Sequence, residues 1–294
     1  MATYSTYGKQ YIDFAASRHL RVDDPYTLAS MLKHGLEQRG LGRSTLTSTI
    51  PSAVSNLFRY TDVNITSHQI VREAKQTVKR LTKPSVSKLP VTTAHLSWMA
   101  YQAPSTFIGT RNMFMMILMF LGFLRESEVT QLKPTDVWEE TVDGKIVLFI
   151  YVLKAKNDQF STGHTIVVGG RPESSLCPIR WYRAYKRFPK STYLFRQANK
   201  HMLGLAAATP NAIIKSLLVS INVDPNRYGS HSLRRGGVTA AVAAGINILV
   251  LARHGNWRSE AIYAYVSQSM YQRLSVSHAI LGSSVQGPLS KFMY

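Results

Sequence analysis

Acidic side chains are scarce toward the end of this chain. Residues 177–294 carry 15 lysines and arginines against two acids, Asp224 and Glu260. Over all 294 residues, 35 basic groups stand against 16 acidic ones, a formal charge of +19. A field of that sign favours a polyanion, and nucleic acid is the commonest one. The plain alternative is a basic surface that only aids solubility. Cysteine is scarcer still. Cys177 stands alone, which excludes an internal disulfide and a cysteine-based metal site and suits a reducing, intracellular compartment. Long apolar runs are also missing. The most hydrophobic stretch, "MFMMILMFLGFL" at 113–124, is shorter than the roughly 18 residues a membrane span wants. It is expected as a buried core helix. The opening "MATYSTYGKQYIDFAA" lacks the apolar core of a signal peptide, and no membrane partner is expected.

What the chain does have is enough apolar material for real cores, 45% hydrophobic residues over a length that suits two domains. "LTKPSVSKLPVT" at 81–92 combines two prolines with small polar residues and no apolar period, the marks of a linker. Before it, "DPYTLASMLKHGLEQRG" starts on Asp-Pro and stops at Gly40, a helix with both punctuation marks. "SAVSNLFRYT" and "SHQIVREAKQTVKRLT" are amphipathic, the second with a basic face. Residues 1–83 therefore read as a small helical domain, 84–92 as the linker, and 93–294 as a second domain. In that second domain "TTAHLSWMAYQAP" and "RNMFMMILMFLGFLRESEVTQL" read as helices. "KIVLFIYVLKAK" at 145–156 and "HTIVV" at 164–168 read as strands of one hairpin across "NDQFSTG". From "CPIRWYRAYKRF" onward the pattern is helical again, with "GGVTAAVAAG" and "INILVLARHG" broken at Gly245. The expected class is mainly α with a small β element, α+β.

The segment "GSHSLRRGGVTAA" at 229–241 crowds His231, Arg234 and Arg235 at the head of a helix. Cations are disfavoured there by the helix dipole, whereas an anion is favoured by the dipole and by the free N–H groups. His231 and Arg234 are three apart and share a face. Such a head is suited to a phosphate; the plain alternative is a helix start that faces solvent. Arg125 in "GFLRESEV" reads alone as a capping residue, with Glu128 as its pairing partner three positions on. Lys156 reads as a solvated lysine near a turn, Trp257 as core packing, and any one of 15 tyrosines as structural.

Order and spacing change those readings. Arg125, then Lys156 on a hairpin, then His231-x-x-Arg234, then Trp257 26 residues after that His, then Tyr265 eight residues later: this succession resembles the tyrosine recombinases, the phage-integrase-like, Cre-like and Xer-like enzymes. "HSLRRGG…HGNWRSEAIYAYV" is most similar in look to recombinases of Crypton and DIRS mobile elements. The resemblance covers about residues 90–270 and is weak before them. It departs at one point. In the best-known members the residue at the Trp position precedes the Tyr by nine, and here Trp257 precedes Tyr265 by eight. That shorter spacing is familiar in the "GRW-x-S-D" type, which favours Tyr265 and leaves Tyr263 and, more remotely, Tyr271 as competitors.

The resemblance implies a helical DNA-clamping domain, a catalytic domain at 93–294 with a C-terminal tail helix, and breakage and rejoining of DNA through a 3′-phosphotyrosine. It implies Arg125 and Arg234 as a clamp on the scissile phosphate, His231 as a further phosphate donor that helps move the tyrosine proton, and Lys156 as the acid for the leaving 5′ oxygen. Trp257 is then a buttress and Tyr265 the nucleophile. No cofactor is expected, neither metal nor ATP, since two guanidiniums suit the charge of the transition state. The implied partner is double-stranded DNA with specific recombination sites. A homotetramer forms on that DNA from protomers that are monomers or weak oligomers when free, and the tail docks on a neighbour or on its own domain. The expected place is the nucleus of a eukaryotic host or otherwise the cytoplasm. Rival readings are a type IB topoisomerase-like relaxing enzyme, an inactive DNA-binding descendant, and a basic RNA-binding module, for which no aromatic signature is present.

Overall fold

The computed structural model describes residues 2–83, 88–153, 163–189, 191–200, 202–229, 231–257 and 262–263. The chain divides into two compact units, Met1–Ser87 and Lys88–Tyr294.

The first unit is helical. α1 (Ala2–Ala16), which the sequence reading left unassigned, packs on α3 (Ile50–Leu57), and α2 (Pro25–Glu37) packs on α4 (Gln69–Leu81). Asp24 caps α2, its carboxylate accepting from the Tyr26 N–H at 2.9 Å with Pro25 at the first helical position. That is the Asp-Pro start at work: the side chain satisfies an orphan donor and proline has none to lose. Tyr11, Leu28, Leu32, Leu46, Ile50 and Val54 fill the core. α4 buries Val71 and Val78 there and leaves Arg72, Lys79 and Arg80 exposed.

In the second unit α5 (Thr93–Gln102) leads to α6 (Phe107–Leu121), whose residues Met113 to Phe120 are all buried. A helix that is apolar on every side must be covered on every side, and α6 packs against α5, α8, α9 and α10. The expected single helix over 111–132 is two. α6 ends at Leu121, Phe123 takes a left-handed φ of +51°, and α7 (Glu126–Val129) starts afresh with Arg125 as its extended N-cap. A left-handed residue cannot continue a right-handed helix, so the chain turns there.

The sheet holds one strand more than the sequence reading assigned. β1 (Val137–Val142), β2 (Lys145–Val152) and β3 (His164–Gly169) form an antiparallel sheet in that order. Asp143 and Gly144, both at positive φ, close β1 onto β2 with Val142 opposite Lys145. Two left-handed residues make the tight turn that matches strand twist. β2 and β3 are the expected hairpin, with Val152 opposite His164. Leu148, Ile150, Ile166 and Val168 turn inward. α8 (Pro178–Lys186) packs on the sheet and on α6. Its Tyr182 donates to the Val137 carbonyl and Tyr185 to the Leu194 carbonyl, each at 2.7 Å. Burial raises the pKa of both phenols, that of Tyr185 to about 12, so both are structural tyrosines.

α9 (Thr209–Ser220), α10 (His231–Ala243) and α11 (Ile248–His254) complete the described part. α10 presses its backbone onto its neighbours through Gly236 and Gly237. A Cβ at Gly236 would lie 1.9 Å from the Val91 carbonyl oxygen, and one at Gly237 2.0 Å from that of Phe120. This approach puts the head of α10 beside the end of α6. Among the described residues, no helix is long and apolar enough to cross a membrane.

Candidate active site

Arg234 is the centre of the site. It lies in the first turn of α10 and is 1% exposed. A buried guanidinium is costly unless its donors and charge are met. Here Nη1 donates to the Phe123 carbonyl and Nη2 to the Gly255 carbonyl at 2.9 Å. Its Cζ lies over the Trp257 ring, 3.9 Å from the centroid. The left-handed turn at Phe123 presents that carbonyl, and the Phe123 ring packs on His254 and Trp257.

Glu128 joins this arginine to the other. Its Oε2 accepts from the Arg125 backbone N–H at 2.8 Å, and its Oε1 meets Arg125 Nη1 at 2.5 Å. The same carboxylate lies 3.9 Å from Arg234 Nη1. The pair expected along a continuous helix is therefore a cap: Arg125 sits before α7 and Glu128 reaches back to it. Glu128 is 3% exposed. Two buried or partly buried cations share one anion, which leaves net positive charge at this point.

The end of α11 supplies the other wall. Asn256 has φ +50°, its N–H bonds to the Arg253 carbonyl at 3.1 Å, and the Trp257 N–H bonds to the Ala252 carbonyl at 2.8 Å. This is a Schellman stop with Asn in the left-handed position. It folds the Trp257 ring back over Gly255, where a Cβ would sit 1.8 Å from the ring. His254 Nε2 bonds to the Leu121 carbonyl at 2.8 Å, and the Asn256 amide meets His164 Nδ1 at 3.1 Å.

The structure thus brings Arg125, Arg234 and Trp257 together around Glu128 and Phe123. His231 opens the same helix as Arg234 and is exposed. Tyr263 is exposed. Lys156 and Tyr265 lie outside the described residues, as do Lys154, Ser230 and Tyr271. Sequence reasoning missed the carbonyls of Phe123 and Gly255, and also His254, Asn256 and His164. The Gly-Asn pair after "LARH" was the available signal for the helix stop; carbonyl direction had none.

No family model matches the chain. An integrase/recombinase XerD homolog of Selenomonas ruminantium is 26% identical over 167 residues, 54% of this chain and 48% of that protein. The match spans about half the length of this curated relative. Among solved structures, a Tn1549 transposon integrase in complex with transposon right-end DNA superposes with a TM-score of 0.60 at 14% identity, covering 95% of this chain and 93% of that one. XerH site-specific recombinase bound to its difH substrate gives 0.58 at 19%, covering 91% and 75%. A lambda integrase dimer bound to a core site gives 0.54 at 16%, covering 83% and 80%. At these identities the structures speak for the fold alone. The α+β architecture is similar to that of these integrases and recombinases, and over about half its length the chain is similar to the XerD homolog.

Proposed function

We propose that this protein is a site-specific DNA recombinase or integrase that breaks and rejoins strands through a 3′-phosphotyrosine. The observation that carries the reading is the shared carboxylate. Glu128 holds Arg125 and lies within ion-pair distance of Arg234, so one carboxylate sets the two cations side by side, which supports a pair of guanidiniums serving one phosphate. The XerD-like relative and the formal charge of +19 support DNA as the substrate.

In the proposed step the Tyr265 oxygen attacks phosphorus, a P–O(Tyr) bond forms and the P–O5′ bond breaks. The phenol proton leaves with help from His231, since a free tyrosine ionises near pH 10. Lys156 gives a proton to the departing 5′ oxygen. Arg125 and Arg234 neutralise the charge on the non-bridging oxygens, and Trp257 supports Arg234 from beneath. The phosphodiester energy stays in the phosphotyrosine, so a 5′-hydroxyl of a second strand reverses the step without a further energy source. Four protomers on two duplex sites would exchange the strands.

The test is a covalent trap. The protein is incubated with duplex DNA carrying the flanks of its own gene, denatured and digested, and the modified residue is identified by mass spectrometry. A nucleotide on Tyr265 is expected, and Tyr265→Phe should form no adduct. An adduct on Tyr263 would reassign the nucleophile. Tight binding with no modified tyrosine on these flanks, or on an unrelated supercoiled plasmid, would favour an inactive descendant. Relaxation of that plasmid without site pairing would favour a topoisomerase.

A further inference from the structure

We propose that His164 and Asn256 are positioning residues, a tether from the sheet that holds the end of α11 under Arg234. The proposal deepens the recombinase reading and rests on it for its kinetic arm. His164 is the first residue of β3, on a strand fixed by its pairing with β2. Asn256 stands between the two groups just past α11 that contact Arg234: the Gly255 carbonyl before it and the Trp257 ring after it. A direct side-chain bond joins this turn to the sheet: the Asn256 Nδ2 meets His164 Nδ1 at 3.1 Å.

The chemistry of that bond is one-way. An amide Nδ2 can only donate, so Nδ1 of His164 must accept, and the ring is neutral with its proton on Nε2. The residue type at 256 also carries information. The Schellman stop needs a left-handed residue there, and glycine is the usual choice. Glycine would keep the backbone but have no amide. Asparagine tolerates the same φ of +50° and adds the reach to His164. Without the tether, the turn is still held by its own backbone bonds, by His254 on the Leu121 carbonyl, by Arg234 on the Gly255 carbonyl and by ring packing, but the Gly255 carbonyl and Trp257 ring lose this anchor to the sheet. A small misplacement of groups that orient a catalytic arginine is enough to slow chemistry on the order of a hundredfold.

The discriminating variant is therefore Asn256→Gly, with His164→Leu as its counterpart and His164→Gln as the conservative rescue, since a glutamine oxygen can accept where Nδ1 did. In the free full-length protein, nitrogen NMR should show His164 Nδ1 as an unprotonated acceptor. The Trp257 indole N–H resonance, assigned through Trp257→Phe, should move in Asn256→Gly and His164→Leu and return toward its place in His164→Gln. On the duplex used for the covalent trap, Asn256→Gly and His164→Leu should form adduct at least about tenfold more slowly, with DNA affinity within about twofold. His164→Gln should recover most of the rate. Unchanged ring and indole resonances in Asn256→Gly would overturn the tether. So would an unchanged rate beside an active wild-type chain, or a loss of DNA affinity as large as the loss of rate. If the wild-type chain forms no adduct, the recombinase reading fails instead, and the resonances of the free protein alone decide whether the tether exists.

Discussion

The guanidinium of Arg234 rests on the ring of Trp257, 3.9 Å from its centroid, and both residues are buried. A planar cation on an aromatic face is held in one plane while its edges stay available for directed bonds. The stack orients the edge donors toward Phe123 and Gly255 and marks Trp257 as part of the site's scaffold.

Trp257→Ala should cost about 3–5 kcal/mol of stability through the cavity it leaves. Trp257→Phe keeps a ring under the cation and should cost clearly less. Urea unfolding of the two variants checks this, and equal losses would show that the ring face contributes nothing beyond volume.

Glu128→Gln keeps the shape of the side chain and removes the charge. Arg125 and Arg234 then face each other without their common anion. Breaking a buried pair while leaving its partner costs about 3–5 kcal/mol, so a lower unfolding midpoint is expected together with slower adduct formation. A variant as stable as the parent would mean the carboxylate is a spectator.

Gly236→Ala and Gly237→Ala should each push α10 off its neighbours, because the new Cβ meets a backbone oxygen at 1.9 or 2.0 Å. Overpacking of this kind costs about 1–3 kcal/mol or more. Gly42→Ala, where a Cβ meets nothing within 4 Å, is the matched control and should be neutral. Thermal unfolding of the three separates close approach from a general intolerance of substitution.

Stability should fall as pH drops below the ordinary histidine value of about 6.5. His95 caps α5 by accepting the Thr92 N–H on Nδ1 at 3.3 Å, and burial lowers its pKa. The sign follows from linkage. Between the folded and unfolded pKa values the unfolded chain binds more protons, so stability rises with pH there and is complete above the unfolded value. His95→Gln keeps an acceptor at the cap and should flatten that part of the curve. A slope unchanged by the substitution would assign it to other groups.

Much of the fold was legible because it rests on local chemistry. The apolar run at 113–124 could only be a buried helix, and α6 is that helix as far as Leu121. The β2–β3 hairpin followed from its β-branched and aromatic residues. β1 escaped notice although Asp143–Gly144 is a strong hairpin signal. Its charged "EET" hid the strand, since Glu140, Thr141 and Val142 in succession are exposed and no alternation shows.

The candidate site divides along the same line. The resemblance to the tyrosine recombinases, carried by order and spacing in the chain, singled out Arg125, His231, Arg234 and Trp257; read one at a time, Arg125 is a cap and Trp257 core packing. The sequence alone carried that much. Which group meets which was decided by the tertiary structure. The Phe123 carbonyl reaches Arg234 because φ at Phe123 is +51° and because two glycines let α10 close on α6. Glu128 serves both arginines because α6 breaks before Arg125. Carbonyl directions and helix approaches are set by long-range packing rather than by neighbours in the chain, and a linear pattern holds no record of them.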